Sequence, residues 1–322
     1  MLVLGLQGSP RKNGNTHILL STFLKEAEAL GARTQQLRAA GQQISPCREC
    51  GTCERKGFCA IEDDMQQVYP LLWEADLIVL ATPIFFYGPT AQIKALIDRS
   101  QALWARKYTL GLTDPGRKWR KGLLLAVGAT KGKTLFDGTA LTAKYFFDAV
   151  GAGFEGTLGF RQVENAGDIQ NHPTALKQVT EQAGALVGPY LERKKILFVC
   201  TQDACTSQMA GAFARFHAGD RVEAMSGGSA PADEIDPVMV EAMAEKGIDM
   251  AYLRPQPWEA AARGRNPDLL IVVGDCDVSG SFPGVATQKW DVEDPRGKPA
   301  AAMRRVRDQI EERVTALIEG GL

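Results

Sequence analysis

The sequence predicts two α/β units in series, each a parallel sheet with helices on its faces. Two observations carry this. Over residues 1–192, short apolar runs alternate with amphipathic stretches, the pattern of a doubly wound sheet. At Arg193-Lys194-Lys195 the pattern stops, and a fresh apolar run, Ile196-Leu197-Phe198-Val199, restarts it. The boundary is charged and lacks a Gly/Ser or Pro linker, which gives one unit over 1–192 and a smaller one over 193–322.

In chain order, residues 2–6 form an apolar first strand. Residues 16–30 form a helix, because Ile18, Leu19, Phe23 and Ala27 recur at helical spacing on one face. Residues 34–37 are a weak strand, and a cysteine loop follows. Asp63 or Asp64 caps a helix that carries Met65, Val68 and Leu72. Residues 77–81, 123–127 and 156–160 read as strands, and 91–104, 140–150 and 174–191 as helices. The second unit continues with strands at 196–199, 222–225 and 269–273, and with helices at 207–216, 237–246 and 301–318.

Composition narrows the function classes. The chain has 322 residues, 45% hydrophobic and 23% charged, with a net charge of -1, so no general attraction draws it to nucleic acid or to an anionic membrane. The basic stretch Arg117-Lys118-Trp119-Arg120-Lys121 reads as a solvated loop. There is no membrane-length apolar run and no charged signal-peptide start, so the expected compartment is the cytoplasm. Cys200, Cys205 and Cys276 are then expected to be reduced at rest. His17, His172 and His217 sit in no metal spacing.

Four of the seven cysteines, Cys47, Cys50, Cys53 and Cys59, fall within thirteen residues. Two Cys-x-x-Cys steps share Cys50, and Gly57 lets the chain fold back to bring Cys59. Four thiolates suit an iron-sulfur cluster or tetrahedral zinc. The overlapping start favours the cluster, since zinc sites usually pair two separate knuckles; a patch of free or disulfide-bonded thiols is the structural alternative.

After the first strand, Gly8-Ser9-Pro10-Arg11-Lys12-Asn13-Gly14-Asn15-Thr16 runs into a helix, with glycines, hydroxyl and amide donors, and two cations. A helix N-terminus there favours an anion. The loop lacks both Gly-x-Gly-x-x-Gly and a Gly-Lys-Ser/Thr ending, so a terminal monophosphate fits best. A second loop, Thr82-Pro83-Ile84-Phe85-Phe86-Tyr87-Gly88-Pro89-Thr90, follows a central strand, where open α/β sheets bind ligands. Its candidate ring contacts are Pro83, Ile84, Phe85, Tyr87 and Gly88. A phosphate loop beside an aromatic loop suggests flavin mononucleotide (FMN). Gly128-Ala129-Thr130-Lys131-Gly132 is a third loop that can complete the ring site.

These loops, the cysteine run, Asp63-Asp64-Met65 and Lys94-Ala95-Leu96-Ile97-Asp98-Arg99 resemble the iron-sulfur flavoproteins of the NAD(P)H-dependent FMN reductase superfamily, over about residues 1–190. The resemblance implies a flavodoxin-like fold, FMN held by Ser9, Arg11, Asn13, Asn15 and Thr16, and a 4Fe-4S cluster on Cys47, Cys50, Cys53 and Cys59. It also implies a homo-oligomer, a dimer or tetramer, with the flavin near a subunit contact. A flavin takes hydride as an electron pair and a cluster passes single electrons, so the expected activity is electron transfer. NAD(P)H, a ferredoxin or a small acceptor such as oxygen or peroxide remain open as partners.

In the second unit Cys200-Thr201-Gln202-Asp203-Ala204-Cys205-Thr206-Ser207 again links strand to helix, and a cysteine facing converging N–H groups is a candidate nucleophile. Residues 194–322 resemble the low-molecular-weight tyrosine phosphatase and arsenate reductase superfamily, also through Ser226-Gly227-Gly228-Ser229 and Trp290-Asp291-Val292-Glu293-Asp294-Pro295. That likeness implies Cys200 as nucleophile, Asp294 as general acid and Cys276 at the place of a resolving thiol. Thr206, however, stands where the family has its oxyanion-gripping arginine, and Asp203 where it has asparagine, which reads as a further negative charge at an anion seat. The reading is a retained fold with lost or altered phosphate chemistry. The alternative is an arsenate reductase or a dithiol relay among Cys200, Cys205 and Cys276, with the flavin unit as reductant. Cys205 has the further reading of a small buried core residue.

Overall fold

The computed structural model describes residues 1–278 and 281–321. They fall into two compact units, one of Met1–Gly111 with Gly116–Leu191, the other of Leu112–Pro115 with Glu192–Leu322. The first runs β1 (Leu2–Gln7), α1 (Asn15–Ala29), β2 (Arg33–Arg38), α2 (Thr52–Lys56), α3 (Met65–Glu74), β3 (Leu77–Pro83), α4 (Ala91–Arg99), α5 (Gln101–Tyr108), β4 (Lys121–Gly128), α6 (Asp137–Ala149), β5 (Gly153–Arg161) and α7 (Ala175–Leu191). The second runs β6 (Lys194–Cys200), α8 (Thr206–Ala218), β7 (Val222–Gly228), α9 (Pro237–Ala244), α10 (Trp258–Ala262), β8 (Leu269–Val273), β9 (Ala286–Trp290) and α11 (Ala300–Glu319).

The first sheet has the order β2-β1-β3-β4-β5 with every pair parallel. This is the flavodoxin-type doubly wound order, whose switch point lies between β1 and β3. Both faces are covered. Val3, Leu77, Val79, Leu123 and Leu125 pack with Leu19, Phe23, Val179 and Val187 of α1 and α7, and the alternate residues Leu4, Ile78, Leu80 and Leu124 are equally buried on the opposite face. The second sheet, β7-β6-β8-β9, is also all parallel, with α8, α9 and α11 packed on one core through Met209, Phe213, Met239, Met243, Val306 and Ile310.

Several expectations needed correction. The helix expected over 91–104 is two, separated at Ser100; the Ser100 hydroxyl donates to the Leu96 carbonyl at 3.1 Å, a back-bond that bends helices. The basic stretch is not wholly solvated: Arg120 is 2% exposed and donates to the carbonyls of Ala75 at 2.7 Å and Val150 at 2.8 Å. Asp63 rather than Asp64 meets the start of α3, accepting from the Met65 N–H at 3.1 Å, while Asp64 accepts from the Gln43 N–H at 2.7 Å. Among the described residues no helix is long and apolar enough to cross a membrane.

Candidate functional site

The first pocket lies where the strand order reverses. Ser9, Pro10, Arg11, Gly14, Asn15 and Thr16 come from the loop after β1, Pro83, Ile84 and Phe85 from the end of β3, Val127, Gly128 and Ala129 from the end of β4, and Val163 and Glu164 from the loop after β5. The β1 loop is braced from within. The Gln7 amide donates to the carbonyls of Arg11 and Lys12, both at 3.2 Å, and the Ser9 hydroxyl accepts from the Arg11 N–H at 3.2 Å.

Helix α1 starts with no side chain capping its free N–H groups, so its positive end faces the pocket. The Thr16 hydroxyl is buried and has no hydrogen-bond partner. Such a group is costly unless something else satisfies it, and an anionic oxygen at this helix end would do so. The residues therefore fit a phosphate.

The expected cofactor residues divide in place. Ser9, Arg11, Asn15, Thr16, Pro83, Ile84 and Phe85 line the pocket; Asn13, Tyr87 and Gly88 are not among the lining residues. Asn13 is exposed. Tyr87 and Gly88 belong to a tight reversal in which Phe85 and Gly88 exchange backbone hydrogen bonds at 2.9 and 3.0 Å, and the Thr139 hydroxyl of α6 holds the Tyr87 carbonyl at 3.3 Å. The Asn15 side chain is largely engaged elsewhere. It donates to the Asn165 carbonyl at 2.7 Å and accepts from the N–H groups of Gly167 and Ile169, so its carbonyl oxygen is turned toward the loop after β5. Val163 and Glu164 escaped sequence reading, although they follow a strand end as the other lining loops do.

The four clustered cysteines line a second pocket, of about 550 Å³, together with Asp98, Arg99, Gln101 and Ala102 at the junction of α4 and α5. The loop turns through α2, entered by Gly51 and left by Gly57, both at positive φ (64° and 75°), a conformation that favours glycine. Cys47 and Cys50 are exposed and Cys53 and Cys59 half-buried, all as free thiols. The Thr52 hydroxyl holds the Cys50 thiol below its ordinary value, whereas burial raises that of Cys53. Among the described residues no three His, Cys, Asp or Glu side chains converge on a metal position. Four thiols around one cavity are nonetheless a donor set that suits a thiolate-bound group.

Two buried arginines clamp this loop from below. Arg99, 1% exposed, donates to the Ser45 carbonyl at 3.0 Å, the Ile61 carbonyl at 3.1 Å and both Asp63 oxygens at 2.7 and 3.1 Å. Arg106 donates to the Gly57 carbonyl at 3.2 Å and lies over the Phe58 ring at 4.8 Å. Burial works against the Asp63 carboxylate, yet Arg99 and the N–H groups of Ser45 and Met65 hold its pKa below the usual range. The resulting loop base is preorganised.

In the second unit, the loop from Cys200 to Thr206 wraps tightly between β6 and α8. Gly228 of β7 allows the approach, because a Cβ there would sit 2.8 Å from the Thr201 carbonyl oxygen and 2.9 Å from the Asp203 nitrogen. Cys200 is 8% exposed. Its sulfur accepts from the Asp203 N–H at 3.2 Å and lies 3.0 Å from the Ser207 hydroxyl.

Asp203 corrects an expectation. Its carboxylate does not face an anion seat; it is 0% exposed, at φ 49°, and accepts from the Ser207 hydroxyl at 2.8 Å, the Gln208 amide at 3.0 Å and the Gln256 N–H at 3.0 Å. Burial pushes its pKa up to about 7 against these bonds. Because the folded value lies above that of an unfolded aspartate, near 3.9, the folded state binds the extra proton between the two. The contribution of Asp203 to stability is then present at acid pH and lost as pH rises toward 7. Asp203→Asn should flatten that slope in melting curves of the second unit; a slope unchanged by the substitution would contradict this assignment.

Cys205 is 2% exposed in the core, its thiol against the Met303 sulfur at 3.5 Å, and burial pushes its pKa up. That packing takes the core reading over the relay one. Asp294 is held by the Arg296 guanidinium at 3.0 and 3.1 Å, which keeps its pKa below the ordinary value. The Cys276 thiol lies 3.5 Å from the Ser229 hydroxyl, and the Thr201 hydroxyl donates to the Asp275 carbonyl at 2.9 Å. The Cys276 loop is thereby tied to the Cys200 loop.

Comparison with known proteins follows the same division. Residues 1–143 match the NADPH-dependent FMN reductase family and residues 195–320 the low molecular weight phosphotyrosine protein phosphatase family. An iron-sulfur flavoprotein of Methanosarcina thermophila is 34% identical over 131 residues, 41% of this chain and 65% of that protein. One of Archaeoglobus fulgidus is 37% identical over 130 residues, 40% of this chain and 63% of that protein, so the match spans less than two thirds of either relative. A putative arsenate reductase of Halobacterium salinarum is 33% identical over 130 residues, 39% of this chain and 91% of that protein. Behind N-terminal residues that match the NADPH-dependent FMN reductase family, the chain belongs through residues 195–320 to the low molecular weight phosphotyrosine protein phosphatase family.

Proposed function

We propose that this protein is an FMN-dependent electron-transfer oxidoreductase whose first unit also carries a 4Fe-4S cluster, and whose second unit keeps a thiol loop without phosphate chemistry. The observation that carries the flavin reading is the uncapped start of α1 with the partnerless Thr16 hydroxyl, in one pocket with Pro83, Ile84 and Phe85 at the switch point. The α1 N-terminus, Ser9 and Arg11 would hold the phosphate, and Ile84 and Phe85 would shield one edge of the flat ring from water. Cys47, Cys50, Cys53 and Cys59 would hold the cluster. When bound, these groups supply two-electron and one-electron transfer respectively.

Helix α4 relates the two pockets. At its start the Thr90 hydroxyl bonds the Gly8 carbonyl of the phosphate loop, and at its end Asp98 and Arg99 line the cysteine pocket; nine residues at about 1.5 Å each separate the ends by about 13 Å. The donor is NAD(P)H or a ferredoxin-type protein, and the acceptor a small redox molecule. The compartment is the cytoplasm. A homo-oligomer, dimer or tetramer, is supported by exposed aromatic and aliphatic side chains: Phe86 and Tyr87 beside the first pocket, Leu141 and Tyr145 on α6, and Trp104 and Tyr108 on α5.

The test is the visible spectrum with the FMN, iron and sulfide content of protein purified without air. Flavin without iron would remove the cluster, and a colourless protein would remove the whole reading. Within the site, Thr16→Val should weaken FMN binding by about 2 kcal/mol, the value of a hydrogen bond to a charged group, or about thirtyfold in Kd. Isothermal titration with FMN checks this, and an unchanged Kd would place the phosphate elsewhere.

A second reading is favoured by the tie between the Cys200 and Cys276 loops: a thiol-redox role for the second unit, with the flavin unit as reductant. Hydrolysis of an aryl phosphate that disappears in Cys200→Ser would count against both readings of this unit.

A further inference from the structure

The Cys200 loop contains a hydrogen-bonded chain that runs from its sulfur into the protein. Ser207 has a single hydroxyl hydrogen, and Asp203, when ionised, can only accept. The 2.8 Å bond to Asp203 Oδ1 therefore takes that hydrogen, and toward the sulfur at 3.0 Å Ser207 offers only a lone pair. The Cys200 S–H must then be the donor. The other Asp203 oxygen is occupied by the Gln208 amide and the Gln256 N–H, so Oδ1 is the place where a proton can arrive.

We propose that Asp203 is the base that takes the Cys200 proton through Ser207, and that the thiolate so formed attacks an uncharged electrophile, a disulfide sulfur, in place of an oxyanion. In the proton step the Cys200 S–H bond breaks, Ser207 receives that proton and passes its own to Asp203 Oδ1, and the negative charge moves from carboxylate to sulfur with no change in the total. The Asp203 N–H already points at the sulfur at 3.2 Å, and the Ser207 hydroxyl now turns to it as a second donor. In the exchange step a bond forms between the Cys200 sulfur and the nearer substrate sulfur. The substrate S–S bond breaks, and the departing sulfur leaves with the electron pair and takes up a proton.

The preference for a neutral partner follows from the charges around the loop. Thr206 contributes none, Asp203 is a buried acid one hydroxyl removed from the sulfur, and the nearby cation, Arg296, is paired with Asp294. The titratable and charged groups that reach the cluster are Cys205 at the start of α8, Asp236 at the start of α9, and the Asp294 and Arg296 pair. Among these and Asp203, the one cation, Arg296, is already paired with Asp294, and Thr206 supplies no replacement, so the loop itself carries no arginine to grip an oxyanion. A carboxyl with a pKa of about 7 is also well matched to receive a thiol proton near neutrality.

The inference rests on reading the second unit as a thiol site. It is tested on the full chain by the rate at which iodoacetamide and iodoacetate alkylate Cys200, followed by peptide mass spectrometry across pH, with Cys276 as internal reference. In the unaltered protein the iodoacetamide rate at Cys200 should rise as Asp203 ionises around neutrality and then level off, and the preference for the neutral reagent should exceed that at Cys276. Asp203→Asn should remove the inflection and slow the reaction at neutral pH on the order of a hundredfold. Ser207→Ala should do the same and Ser207→Thr should restore the rate, while the Cys276 rate stays constant and reports that the fold survives. A faster or unchanged Cys200 in Asp203→Asn, or a preference for iodoacetate, overturns the relay. Aryl phosphate hydrolysis dependent on Cys200 would overturn the thiol reading itself, and the two failures are separately visible.

Discussion

Replacing Arg99 with leucine should lower the stability of the first unit by about 3–5 kcal/mol, the cost of leaving one partner of a buried ion pair unmatched. The substitution strands Asp63, whose side chain is only 10% exposed, and removes the donor from the carbonyls of Ser45 and Ile61 on either flank of the cysteine run. Arg99→Lys should recover only part of the loss, since one ammonium cannot reproduce a planar fork that holds two carbonyls and a bidentate carboxylate. Urea unfolding of the full chain measures the difference. A loss below about 1 kcal/mol, a value typical of solvent-exposed pairs, would show that the clamp is not holding the loop.

Cys53→Ala should abolish iron and sulfide binding while FMN content stays at the level of the unaltered protein. Cys53 lies on the short helix between the two glycine turns, so its loss removes one of the four thiols that line the cavity without disturbing the Arg99 contacts or the phosphate pocket. Cys205→Ala, in the core of the second unit, is the matching control and should leave iron unchanged. Elemental analysis of anaerobic protein decides the matter, and equal iron in both variants would remove these thiols from the proposed cluster.

Both parallel sheets were legible because their inner strands are continuous apolar runs entered from a charged residue, as in Leu77 to Ala81 after Asp76 and Ile196 to Val199 after Lys195. Strand β9 was not, since Ala286, Thr287, Gln288 and Lys289 are exposed at a sheet edge and carry no apolar signal. The five-residue helices α2 and α10 are too short for periodicity to show. At the first pocket the loops could be read from glycine, hydroxyl and aromatic residues. The occupation of the Asn15 side chain could not, because its partners lie at Asn165, Gly167 and Ile169. The inward turn of Asp203 depends likewise on Gln256, fifty-three positions away.

The seven sulfurs differ sharply in how they meet solvent. Cys205 is packed in the core of the second unit, whereas Cys47 and Cys50 stand in the open above a hydrogen-bonded base. Soft heavy ions such as mercury or silver, and air during storage, will strike that rim first. Samples kept without reductant should age there, by intramolecular crosslinking, long before the core thiol of Cys205 registers any damage.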